Sequence, residues 1–192
     1  GREMRQLFVA ADSALAALNE QGIDACVIGG LAVARWGEPR FTVDVDLVAM
    51  TAVSRDAEAV DALLVKFIPR MPDARAFALA HRVLILESSE GVRLDVSLGA
   101  LEFERDMVAR STEWSVDGCP LIRTCSAEDL LVLKAFAGRE KDWGDVRGII
   151  RRQGAAINRN TVIQRLTPLA EFAERPEALR GLQEMFRDSP AE

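Results

Sequence analysis

The chain has 192 residues, 49% of them apolar, and a net charge of −6. That is enough to bury the core of one domain, with or without a small helical appendage, and it excludes a disordered chain. The acidic balance excludes a uniformly basic nucleic-acid coat but not a local basic patch. One histidine, no tyrosine and three cysteines speak against a His-centred nucleophile triad and against a structural zinc site.

Cys26, Cys119 and Cys125 form no Cys-x-x-Cys pair, which reads as reduced thiols of a cytoplasmic protein. There is no Gly-x-Ser-x-Gly elbow, no Gly-x-x-x-x-Gly-Lys-Ser/Thr loop and no Gly-x-Gly-x-x-Gly turn. No apolar run approaches the roughly 20 residues of a spanning helix, and the first residues do not read as a signal peptide. No membrane partner is expected. Chemistry in such a chain must run mainly on carboxylates, with help from a metal ion.

In chain order, Leu7, Ala11, Leu15 and Leu18 predict an amphipathic helix over 4–20. Residues 25–28 predict a short strand ending at Gly29-Gly30, followed by a helix over 31–36 that Gly37 and Pro39 stop. A strand is expected over 41–49. Ser54 is a candidate cap for a helix with the stripe Ala57, Val60, Leu64 and Phe67, ended by Pro69 and Pro72. Residues 82–87 and 92–98 predict an antiparallel pair joined by Glu90-Gly91. In its second strand Val92, Leu94, Val96 and Leu98 share one face and Arg93, Asp95 and Ser97 the other. A helix around 100–110 and a strand near 118–123 follow. From Ser126, which opens a capping-box-like Ser-Ala-Glu-Asp, the pattern is helical to the end, with Leu130, Leu131, Leu133 and Phe136 as an apolar stripe and breaks near Gly154 and Pro176. The expected architecture is α+β: a small mixed β-sheet flanked by helices over 1–123, then a C-terminal helical segment over 124–192.

The chemistry points to two places with thirteen residues between them. Val43, Val45 and Leu47 alternate with Asp44 and Asp46, so a period of two puts both acids on one strand face. Two like charges side by side are unfavourable unless a cation neutralises them, and a hard divalent ion with oxygen ligands suits the task. Gly29 and Gly30 form a turn whose backbone N–H groups suit phosphate oxygens. The plainer alternatives are a tight turn, a solvated edge strand and, for Asp95, a salt bridge to a neighbour such as Arg93.

Together these residues resemble the nucleotidyltransferase superfamily typified by DNA polymerase β. The string Gly29-Gly30-x-Ala32-x₄-Gly37-x₂-Arg40-x-Thr42-x-Asp44-x-Asp46, the third acid in Arg93-Leu94-Asp95-Val96, and Lys134-x₄-Arg139-x-Lys141-Asp142-x₂-Asp145 are similar to the AbiEii-type toxin and other minimal members. Many members carry Ser or Thr near the glycine turn, where this chain has Leu31 and Ala32. The resemblance implies a polymerase-β-like core that moves a nucleoside monophosphate from an NTP to a hydroxyl and releases pyrophosphate. Asp44, Asp46 and Asp95 would be the catalytic carboxylates and the ligands of two Mg²⁺ ions, and Gly29, Gly30, Arg40, Thr42 and Lys134 would hold the nucleotide. Arg139, Asp142 and Asp145 read better as an ion-pair network than as catalytic groups. Expected acceptors are RNA, such as a tRNA end, or a partner protein with a cognate antitoxin or regulator; an aminoglycoside-type small molecule ranks lower. The contrasting expectation is a non-catalytic nucleotide- or partner-binding module of the same fold. Arg147, Arg151, Arg152, Arg159 and Arg165 read as a solvated helix face or as a track for RNA phosphates.

Overall fold

The structure is a computed structural model describing residues 2–190. It divides into two compact units, one holding the chain through Leu31 with Phe41–Cys125, the other holding Ala32–Arg40 with Ser126 onward.

The first unit is built on seven strands: β1 (Asp24–Ile28), β2 (Asp44–Met50), β3 (Ile68–Pro69), β4 (Val83–Glu87), β5 (Arg93–Gly99), β6 (Thr112–Trp114) and β7 (Ile122–Thr124). They form one sheet in the order β3-β4-β5-β2-β1-β7-β6. The sheet is mixed: β2 runs parallel to β5 and antiparallel to β1, and β1 runs parallel to β7. Val45, Leu47 and Ala49 of β2 and Leu94, Val96 and Leu98 of β5 are buried in one core with Val27, Leu84 and Leu86. Helices α1 (Arg2–Glu20), α3 (Asp56–Lys66) and α4 (Ala74–His81) contribute Phe8, Leu18, Val60, Leu63 and Ala78 to it. Each large side chain so buried contributes about 1.5–3 kcal/mol. The other face of β2 and β5 takes the intervening residues, and α5 (Glu102–Arg110) packs on part of that side, against β1 and β2.

The second unit contains α6 (Ala127–Ala137), α7 (Glu140–Gln153), α8 (Arg159–Phe172) and α9 (Pro176–Asp188), and α6 packs against the other three. That central place explains a helix apolar almost all round, with Leu130, Leu131, Val132 and Ala135 buried together. Ser126 caps it by accepting from the Asp129 N–H at 3.1 Å. Asp129 is itself fully buried and pairs with Arg165 at 3.0 Å. Residues 32–40 lie close on α7: a Cβ at Gly148 would stand 3.3 Å from the Glu38 backbone nitrogen, so a larger residue there would push that backbone away by a few tenths of an ångström.

Several local expectations shift. The aspartate strand begins at Asp44 rather than at residue 41, because β5 offers partners only from Arg93 and β1 only to Asp46; Phe41 and Val43 are accordingly exposed. Arg40 and Thr42 therefore precede the strand. Ser54 lies in a 3₁₀ turn, Val53–Arg55, and caps nothing; the buried stripe of α3 is Asp56, Ala59, Val60 and Leu63, not Ala57 and Leu64. Leu133 and Phe136 are only half-buried, their neighbours Val132 and Ala135 taking the interior. Helix α4 and strand β6 carry too short a pattern to be read from periodicity, and the strand expected near 118–123 narrows to Ile122–Thr124 after a turn at Gly118.

Candidate active site

The parallel pairing of β2 with β5 sets Asp44 opposite Arg93 and Asp46 opposite Asp95. Directly opposed residues in a ladder point to the same side, so the two strands present three carboxylates and one guanidinium on one face. All four side chains are half-buried. Arg93 Nε donates to Asp95 Oδ1 at 3.0 Å, and its terminal nitrogen donates to Oδ2 at 3.4 Å. This hydrogen bond, together with the charges of Asp95, Asp44 and Asp46, holds the Arg93 pKa above its ordinary value. Arg93 thus sits in the field of all three acids.

On its other side β2 pairs with β1, and Asp46 lies opposite Ile28, the last strand residue before Gly29. The chain turns there with Gly29 at φ +65° and enters α2 (Gly29–Trp36). A Cβ on Gly29 would come within 2.9 Å of both Cβ and Cγ of Asp46. Glycine is required twice over: for the left-handed φ, and because the Asp46 carboxylate fills the space a side chain would need. A carboxylate beside the first turn of a helix is also favourably placed against its dipole. Gly30 is buried in that first turn.

Among the described residues, no three His, Cys, Asp or Glu side chains are already gathered as a metal cage. The donor set nevertheless suits a hard divalent cation: three carboxylates in adjacent register, with their negative charge concentrated enough to stabilise the protonated form of Arg93.

The sequence candidates of the second unit form their own cluster. Lys134, nearly buried on α6, lies 3.3 Å from Asp142 Oδ1 and 3.0 Å from Asp145 Oδ2. Arg40 makes a two-pronged contact with Asp145, at 2.9 and 3.2 Å. Arg139 contacts Asp142 through its side chain at 2.8 Å and its backbone N–H at 3.1 Å. Two candidate nucleotide contacts, Arg40 and Lys134, are therefore already joined through Asp145. Burial pushes the Asp142 pKa up, but the Arg139 side-chain and backbone hydrogen bonds and the Lys134 charge outweigh it and leave the pKa below 3.8.

A group whose folded pKa is depressed stabilises the fold above its unfolded pKa and loses that contribution as pH falls through the folded value. Acid unfolding followed by far-ultraviolet circular dichroism is expected to show wild type losing stability faster than Asp142→Asn between about pH 5 and 2. A difference between the two proteins that stays constant across that range would refute the assignment.

Four of the five arginines considered as an RNA track are engaged within this unit. Arg151 pairs with Glu38; Arg152 donates to the carbonyls of Ala34 and Gly37; Arg159 donates to those of Phe186 and Ser189; Arg165 pairs with Asp129. None of these partners is visible from local sequence. Arg93 is the residue whose place at the site sequence reasoning underrated; its even spacing with Asp95 was the available signal.

No protein-family model matches the chain, and no curated protein matches it in sequence. Solved structures match it in fold. The solution structure of the antibiotic-resistance factor ANT(2'')-Ia is similar over 95% of this chain and 98% of its own, with TM-score 0.54 and 16% identity. A crystal structure of ANT(2'')-Ia in complex with adenylyl-2''-tobramycin matches over 86% and 98%, with the same score and identity. An antigenic nucleotidyltransferase-like protein from Paracoccidioides brasiliensis matches over 92% of each chain at TM-score 0.49 and 18% identity. At these identities the likeness is one of fold: the chain shares the α+β fold of ANT(2'')-Ia.

Proposed function

We propose that the chain is a divalent-metal-dependent nucleotidyltransferase that moves a nucleoside monophosphate from an NTP to an acceptor hydroxyl. The observation that carries this reading is the placement of Asp44, Asp46 and Asp95 on one face of adjacent strands, beside the glycine turn at the start of α2. Such a face has negative charge that calls for a cation, and it lies beside a helix N-terminus, whose backbone N–H groups suit phosphate oxygens.

In this reading Asp44, Asp46 and Asp95 hold Mg²⁺. When bound, the metal neutralises triphosphate charge and lowers the pKa of the attacking hydroxyl. The N–H groups at Gly29 and Gly30 orient the phosphates. The acceptor oxygen forms a bond to the α-phosphorus, its proton passes to a carboxylate for which Asp95 is the candidate, and the α–β anhydride bond breaks to release pyrophosphate. By the resemblance, Lys134 and Arg40 would be nucleotide contacts; within the helical unit both are joined to Asp145.

The resemblance in sequence supports a protein or RNA acceptor, with a cognate regulator. The engagement of Arg151, Arg152, Arg159 and Arg165 within the helical unit weighs against an RNA track along them. The complex of the similar ANT(2'')-Ia with an adenylylated aminoglycoside raises a small polyhydroxylated acceptor. The deciding experiment incubates the protein with Mg²⁺, each α-³²P-labelled NTP in turn, and a cell extract supplemented with aminoglycosides, with Asp44→Asn as control. Asp44-dependent label in RNA, protein or a small molecule is expected and names the acceptor class. No transfer with any NTP would favour a binding module of the same fold.

A further inference from the structure

We infer that Arg93 is a built-in counter-cation of the carboxylate face, which a divalent ion must displace from Asp95 before the face can serve as a metal site. The inference rests on the proposed metal role of Asp44, Asp46 and Asp95 and goes beyond it by assigning a function to a fourth residue.

Arg93 opens β5 directly opposite Asp44, and two residues on, Asp95 stands opposite Asp46. The four groups form a compact rectangle on one sheet face with formal charges of −3 and +1. Without a cation, three carboxylates in adjacent register repel one another. The guanidinium offsets part of that repulsion. Its two contacts with Asp95, at 3.0 and 3.4 Å, match the paired acceptors of a carboxylate to the paired donors of a planar fork.

The same contacts engage both Asp95 oxygens, the atoms a metal would need. A guanidinium and a divalent ion therefore compete for one carboxylate. Arg93 is suited to yield: its side chain is 39% exposed, so it can swing into solvent or onto an incoming phosphate without leaving a buried charge unpaired. A lysine in its place would keep the charge but not the fork.

The test measures Mn²⁺ binding to the full chain without nucleotide, by electron paramagnetic resonance of the free ion, for wild type, Arg93→Met, Arg93→Lys and Asp44→Asn. Removing the positive charge is expected to tighten Mn²⁺ binding roughly tenfold. Arg93→Lys is expected to stay much closer to wild type than Arg93→Met, and Asp44→Asn to weaken binding. Circular dichroism checks that each variant is folded; if Arg93→Met is not, Arg93→Gln takes its place with the same expectation. Mn²⁺ affinity unchanged or weakened in the neutral variant, while Asp44→Asn still weakens it, overturns the counter-cation role and leaves the metal site standing. No Mn²⁺ binding by wild type or any variant overturns both.

Discussion

Replacing Asp46 by Asn is expected to lower nucleotidyl transfer by about 10³-fold or more while leaving the fold intact. Asp46 occupies the central position of the site: β1 and the Gly29 turn on one side, Asp95 across the ladder on the other, Asp44 two residues before it. Asparagine keeps the shape and one acceptor oxygen but removes the charge. If that charge stabilises the reacting phosphates through a bound cation, its loss removes at least about 4 kcal/mol of transition-state stabilisation, since each 1.36 kcal/mol is tenfold in rate.

Stability should change little, because two effects of the substitution oppose. The favourable placement of a carboxylate by the α2 N-terminus, worth about 0.3–1 kcal/mol, is lost. Repulsion from Asp44 and Asp95 is relieved at the same time. Measured kcat for transfer, with thermal denaturation as the control, checks both halves. Transfer within tenfold of wild type in a folded Asp46→Asn protein would remove the basis for the proposed chemistry.

The largest effect on stability is expected far from those acids. Asp56, the first residue of α3, is buried and accepts hydrogen bonds from the Thr51 hydroxyl and the Arg82 guanidinium. Arg82 in turn donates to the carbonyls of Leu98 and Gly99, at 3.0 and 3.1 Å. It does so from a left-handed backbone, φ +60°, at the C-terminus of α4. One carboxylate thus joins the loop after β2, the start of α3, the end of α4 and the end of β5.

Asp56→Ala leaves Arg82 with no acidic partner while its side chain is three-quarters covered, at 25% exposure. Breaking a buried ion pair by removing one partner costs about 3–5 kcal/mol; with Arg82 partly wet, the lower end of that range applies. Urea denaturation should show the midpoint falling with the slope unchanged. A loss under about 1 kcal/mol would mean that water replaces the carboxylate without penalty.

The fold was legible wherever its signal is local. The alternation in β2 and β5 placed the acids of each strand on the face opposite the core, because side-chain direction in a strand has a period of two. The long helices were readable for the same reason: Leu7, Ala11 and Leu18 in α1 recur with the helical period, and Ser126 carries the cap of α6 in its own side chain. Two short elements were not legible: the eight residues of α4 and the three of β6 hold too few periods to stand out, whereas α2, equally short, was marked by Gly37 and Pro39 at its end. Ser54 misled, because a suitable cap residue acts only where the first helical turn leaves an N–H within its reach, and here a 3₁₀ turn intervenes.

The sequence by itself determined which residues could supply charge and which side of each strand they would occupy, because both follow from chemistry and from spacing along one segment. Only the tertiary structure decided which charges meet. That Arg93 faces Asp44 and Asp95 faces Asp46 depends on the parallel register of two strands some fifty residues apart in the chain. That Lys134 and Arg40 share Asp145, and that Arg165 reaches Asp129, depends on how helices pack. Ion pairs act over a few ångströms, and a linear pattern carries no distance between segments until the core brings them together.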